Sequence, residues 1–77
     1  MLTLYVKTGC PYCKAVIDAL HHLDASYNVR NIADPDVYDE LMEFGGQPQA
    51  PFLYSKEDDV NMYESDRIIS YLHERFG

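Results

Sequence analysis

The sequence predicts an α/β domain built on a mixed four-stranded sheet, with helices on both of its faces. Two observations lead there. Apolar residues switch along the chain between a period of two and a period of three to four, in the order β-α-β-α-β-β-α. The opening strand–helix–strand requires a right-handed parallel crossover, and the late strand–turn–strand adds antiparallel neighbours to the same sheet. Seventy-seven residues, 47% of them hydrophobic, suffice for one small domain, residues 1–77, and leave no room for a second.

Leu2, Leu4 and Val6 alternate with Thr3 and Tyr5, as in a half-buried first strand. Gly9-Cys10-Pro11 breaks that period. Val16, Ile17, Leu20 and Leu23 then recur at helical spacing, which predicts a helix from about Pro11 to Asp24. Pro11 suits its first turn, where an N–H has no partner in any case. Tyr27 to Ile32 reads as a second strand, with Tyr27, Val29 and Asn31 on one side and Asn28, Arg30 and Ile32 on the other. Asp34-Pro35-Asp36 supplies a cap, a first-turn proline and an acid; Val37, Leu41 and Phe44 continue a second helix, and Gly45-Gly46 stops it. Pro48 and Pro51 keep the next segment from being helical, and Phe52-Leu53-Tyr54 follows as a strand. A polar turn, Lys56-Glu57-Asp58-Asp59, joins it to Val60–Tyr63 as a hairpin. Ser65-Asp66 reads as the cap of a last helix whose Ile68, Ile69, Leu72 and Phe76 form an apolar stripe.

Six Lys and Arg against thirteen Asp and Glu leave a net charge of −7, which repels phosphate backbones and anionic lipid headgroups. No apolar run approaches the roughly 18–20 residues of a membrane span. Met1 leads into strand-like sequence without a basic leader. A cytoplasmic protein that binds neither nucleic acid nor membrane is the expectation.

The two cysteines, Cys10 and Cys13, stand three apart where the first strand gives way to the first helix. As a structural staple the pair is badly placed, because a loop of about four residues gains ~1.8 kcal/mol from loop closure against ~3 kcal/mol for fifteen. Redox chemistry fits better, since residues at i and i+3 on a helical turn lie close enough to bond without moving the fold. Cys10 would meet the free N–H groups and the positive end of the helix dipole, the setting that favours a thiolate, and is the candidate nucleophile. Cys13, within the first turn, is the candidate resolving thiol. Lys7 and Lys14, two of the six basic residues, bracket the pair and make this end less negative. His21, His22 and His73 fit no ordinary structural zinc spacing with these cysteines, so no metal is expected.

The segment Lys7-Thr8-Gly9-Cys10-Pro11-Tyr12-Cys13, followed by an amphipathic helix, resembles the active site of dithiol glutaredoxins. These are glutathione-dependent disulfide oxidoreductases with a thioredoxin fold. The similarity covers nearly the whole chain and implies further roles. Ala50-Pro51 stands where the family has a cis-proline, so the Ala50 backbone would pair with the cysteinyl unit of glutathione. Lys7 would meet the glycyl carboxylate, and Tyr12 would line the groove. Two segments depart from the family: Gln49-Ala50 replaces Thr-Val before the proline, and Met62-Tyr63-Glu64-Ser65-Asp66 replaces a Gly-Gly turn. The latter is similar instead to the Glu-Ser pair in the N-terminal domain of glutathione transferases. There Ser65 and free N–H groups would take the γ-glutamyl carboxylate, and Glu64 or Asp66 its ammonium; without the resemblance, Ser65-Asp66 reads equally as plain helix capping.

The resemblance implies a monomeric redoxin that uses glutathione as co-substrate and reduces protein disulfides and glutathione mixed disulfides through Cys10 and Cys13. Its rivals are a redoxin reduced by thioredoxin reductase, a carrier of a glutathione-ligated [2Fe–2S] cluster, a glutathione transferase, and a binding module without turnover.

Overall fold

The computed structural model describes residues Met1–Gly77. Seven elements form in the expected order: β1 (Leu2–Val6), α1 (Pro11–His22), β2 (Tyr27–Asn31), α2 (Pro35–Phe44), β3 (Phe52–Ser55), β4 (Val60–Tyr63) and α3 (Ser65–Phe76). The strands lie side by side as β2-β1-β3-β4. β1 pairs parallel with β2, Leu4 opposite Val29, and antiparallel with β3, Leu4 opposite Leu53; β3 pairs antiparallel with β4, Phe52 opposite Tyr63.

Alternation along β1 and β3 sends side chains to two separate cores, one on each face of the sheet. Leu2, Leu4, Val6 and Leu53 meet Cys13, Val16 and Leu20 of α1 and Ile68 and Leu72 of α3. Tyr5 and Phe52 face the other way, against Val37 and Leu41 of α2. Both faces of the two central strands are thereby covered, as a parallel crossover requires. The buried Tyr5 keeps its polar tip satisfied by donating to Glu40 Oε1 at 3.1 Å, and Glu40 in turn pairs with Arg30. This is the thioredoxin fold. No helix is long and apolar enough to cross a membrane.

α2 is capped as its sequence predicts. Asp34 accepts from the Asp36 N–H at 2.9 Å, Pro35 follows, and Gly45 is the C-cap. Elsewhere the boundaries move. α1 stops at His22 with Leu23 as C-cap, and Asp24 turns the chain in the left-handed region at φ 55° instead of extending the helix. β2 ends at Asn31 and lies at the sheet edge, so Val29 remains 46% exposed and Ile32 packs beside the α2 core from beyond the strand. An edge strand whose residues stay exposed on both faces, apart from the half-buried Tyr27, explains its weak pattern.

The predicted Ser65-Asp66 cap is corrected. Glu64 occupies the N-cap position, at φ 74° and ψ 121°, and makes no side-chain cap hydrogen bond; Ser65 and Asp66 are already helical. On the apolar stripe of α3, Ile68 and Leu72 are buried and Ile69 is half-buried, whereas Phe76 lies in the last turn, largely outside the core.

Candidate functional site

Cys10 ends up at the helix start because three local features cooperate. Gly9 takes a left-handed turn at φ 76°, which glycine adopts without a Cβ penalty. Pro11 holds the first helical position, and Cys10, extended at φ −91° and ψ 107°, becomes the N-cap of α1. Its sulfur does what a capping oxygen ordinarily does: the Cys13 N–H donates to Cys10 Sγ at 3.2 Å. Cys10 is half-buried and Cys13, at 3% exposure, belongs to the core. Both are free thiols. Burial pushes the Cys13 thiol up to about 11; its hydrogen bond with Cys10 adds to the rise, and a Lys7 backbone hydrogen bond opposes it. The arrangement is asymmetric. One sulfur is accessible and held by an N–H donor, while the other is covered and stays protonated at neutral pH.

The remaining candidates divide between two sides of this turn. Tyr12, Ala50, Pro51, Glu64, Ser65 and Asp66 line one cavity of about 370 Å³, together with Gln49. The Ala50–Pro51 bond in its wall is cis. Ser65 is half-buried, and its side chain has no cap partner because Glu64 occupies the cap position. Asp66 accepts from the Arg67 N–H at 3.0 Å. Lys7 does not join this group. It lines a second cavity, of about 600 Å³, with Cys10, Cys13, Lys14, Ile17 and Asn31. Lys14 is neutralised on its own helix by Asp18 at 3.1 Å, which leaves Lys7 as the unpaired cation beside Cys10. No three or more His, Cys, Asp or Glu side chains converge on one point.

Two side chains outside the sequence-derived set belong to the site. Gln49 lines the cavity directly. Tyr63 acts from behind it, its ring packed at a tilt against Phe52 at 4.6 Å between centroids and its hydroxyl holding the Gln47 backbone. Strand alternation offered one signal, since Tyr63 and Asn61 fall on the face opposite the buried Val60.

The glutaredoxin family model matches residues 2–60, which includes both cysteines and the cis-proline. No curated protein matches the chain. Among solved structures, it is similar to a glutathione S-transferase from the Antarctic clam Laternula elliptica, at 26% identity and TM-score 0.82, over 97% of this chain and 35% of that one. Glutathione transferase E6 from Drosophila melanogaster matches at 28% identity and TM-score 0.80, over 100% of this chain and 36% of that one. A glutathione transferase homolog from Sulfitobacter, solved with bound glutathione, matches at 21% identity and TM-score 0.79, over 99% and 37%. The chain thus spans little more than a third of the length of these structures. With a family match over residues 2–60, the fold, and a Cys10–Cys13 pair at the start of α1, the chain belongs to the glutaredoxin family.

Proposed function

We propose that this protein is a glutathione-dependent dithiol–disulfide oxidoreductase. The observation that carries the reading is the Cys10–Cys13 turn: an accessible sulfur at a helix N-cap, with a buried thiol three residues on whose N–H donates to it at 3.2 Å. In the first step the Cys10 thiolate attacks a disulfide sulfur of the substrate, forms a mixed disulfide and expels the other half as a thiolate. With a protein disulfide, Cys13 then loses its proton and attacks Cys10 Sγ, releasing the reduced protein and leaving the Cys10–Cys13 disulfide. Two molecules of glutathione reduce that bond and leave as oxidised glutathione. With a glutathione mixed disulfide, Cys10 takes the glutathionyl group and a second glutathione removes it, so that Cys13 is not needed.

The two cavities on either side of the Cys10–Cys13 turn, one lined by Tyr12, Ala50 and Ser65 and the other by Cys10 and Lys7, support glutathione as the reductant. An uncapped α3 start with the half-buried Ser65 suits the γ-glutamyl carboxylate, and Glu64 or Asp66 suits its ammonium. The Ala50 backbone beside the cis-proline is assigned to the cysteinyl unit, and Tyr12 to the groove wall. Lys7, the unpaired cation across Cys10, is assigned to the glycyl carboxylate. The short Cys10–Cys13 loop, poor as a staple, is consistent with service in a reducing cytoplasm.

The test is turnover of a small glutathione mixed disulfide with NADPH, glutathione and glutathione reductase, beside a thioredoxin-reductase coupling. Rapid glutathione-dependent turnover is expected. Cys10→Ser abolishes it, whereas Cys13→Ser spares it and impairs reduction of protein disulfides; loss of both activities in Cys13→Ser would sink the division of roles. The likeness to glutathione transferases motivates one competing reading, thiol addition to an electrophile. Conjugation of 1-chloro-2,4-dinitrobenzene without mixed-disulfide turnover would favour it.

A further inference from the structure

Both walls of the Tyr12–Ser65 cavity are attached to one side chain that lies outside it. Tyr63 closes β4, and the next residue, Glu64, starts the turn into α3 at φ 74°, a backbone region that non-glycine residues rarely adopt. From this position the Tyr63 hydroxyl reaches across to the loop between α2 and β3. It donates to the Gln47 carbonyl at 2.7 Å and accepts from the Gln47 N–H at 3.1 Å. The same carbonyl accepts from the Gln49 N–H at 2.9 Å, which folds the loop back just before Ala50 and the cis bond. The ring is fixed by Phe52, its partner in the sheet register, at 4.6 Å. Gly45 makes room for it, since a Cβ there would lie 2.2 Å from the Tyr63 hydroxyl oxygen.

We propose that Tyr63 is a positioning residue for the thiol–disulfide reaction: its two hydrogen bonds to Gln47 set the Ala50 backbone on one wall against Ser65 on the other, and thereby set the affinity for glutathione. The proposal rests on the glutathione reading above. Tyr63 itself lines neither the Cys10 cavity nor the Tyr12–Ser65 cavity, so it acts on binding and not on the sulfur chemistry.

Two variants perturb the same tie from opposite ends. Tyr63→Phe keeps the ring and its contact with Phe52 and removes only the hydroxyl. Gly45→Ala keeps the tyrosine but pushes its hydroxyl off Gln47; with φ −110° at Gly45, alanine has no backbone objection of its own. Each variant is expected to raise the KM for glutathione by about five- to tenfold, equivalent to about 1–1.4 kcal/mol of binding. The rate at saturation and the rate of Cys10 alkylation stay within about twofold of wild type, on the argument that uniform binding is lost and chemistry is not. Loss of amide-exchange protection at Gln47 and Gln49 accompanies the change. A purely structural role predicts the opposite split, with a reduced rate at saturation from fewer active molecules and an unchanged KM. That split, or wild-type KM in both variants, overturns the role of Tyr63 while leaving the glutathione reading intact. Absence of any glutathione turnover in the wild-type protein overturns that reading and this proposal with it.

Discussion

The proposed division of labour between the cysteines makes a quantitative prediction about Cys13 alone. In Cys10→Ser the serine oxygen still accepts the Cys13 N–H, so the local geometry is retained while the competing thiol is gone. In the native protein, with the Cys13 thiol at about 11, only about 3 in 10,000 molecules carry its thiolate at pH 7.5; Cys10→Ser removes the part of that rise owed to the Cys10 thiol and keeps the larger part, owed to burial. A free cysteine, at about 8.5, is about 10% thiolate under the same conditions, roughly a 300-fold larger population. A more basic thiolate is also intrinsically more nucleophilic, which returns roughly a factor of ten. The net expectation for the variant is alkylation by iodoacetamide roughly tenfold or more slower than free cysteine, the 3% exposure of Cys13 adding to the effect of the residual rise. Timed quenching and intact-mass spectrometry measure the rate directly. The rate should climb about tenfold per pH unit and level off above the ordinary thiol value, where burial holds the Cys13 proton. In the wild-type protein, the first label should fall on Cys10. Alkylation of Cys13 within about threefold of free cysteine at pH 7.5 would refute the argument, because a thiol that reacts so readily is not held protonated by burial.

Two further expectations concern stability. Below the ordinary thiol value of 9.0 the folded and unfolded chains both hold the Cys13 proton; as pH rises from there to about 11 the unfolded chain releases it first, so stability falls. Integrated over that window the loss reaches about 2 kcal/mol, and burial of Tyr5, raised from 10.0 to about 12, extends it in the same direction. Urea titrations of the reduced protein at pH 8 and pH 11 should show the drop, and Cys13→Ser should shrink it; stability that rises with pH across this window would contradict the account. Leu53→Ala removes a fully buried side chain between β1 and β4 and should cost about 3–4 kcal/mol, a large part of the roughly 4–12 kcal/mol expected for a chain of this length. A change in the urea midpoint worth less than about 1 kcal/mol would mean that this core does not carry the fold.

How much of this was legible depends on how far apart the determining contacts lie in the chain. Periodicity placed β1, α1, α2, the hairpin strands and α3 because each is specified by the spacing of its own apolar residues. The Cys10–Cys13 pair was legible for the same reason: three residues, a following proline and a helix start put both sulfurs on one turn, and Cys10 is the N-cap. Asp34 capped α2 through a contact two residues long. The weak β2 pattern had its cause elsewhere, in the position of that strand at the sheet edge, which no local residue announces.

The start of α3 shows the limit. Ser65-Asp66 has the composition of a cap, but the hairpin delivers the chain to the helix through Glu64 at φ 74°, which leaves Ser65 beside the cavity with Tyr12 and Ala50. Tyr63 was visible only as an aromatic in a strand. Its proposed role depends on a gap at Gly45 and on a loop sixteen residues away at Gln47, which meet it only when α2 packs on the sheet face that carries the Tyr63 side chain. Lys7 and Lys14 look alike in sequence, yet Asp18 pairs with one and leaves the other free beside Cys10. Short-range spacing was enough to specify which elements form and to put the two cysteine sulfurs on one turn at the start of α1. The gathering of the cis-proline loop with the α3 start on one side of that turn, and of Lys7 with Cys10 on the other, came only from packing between segments distant in the chain.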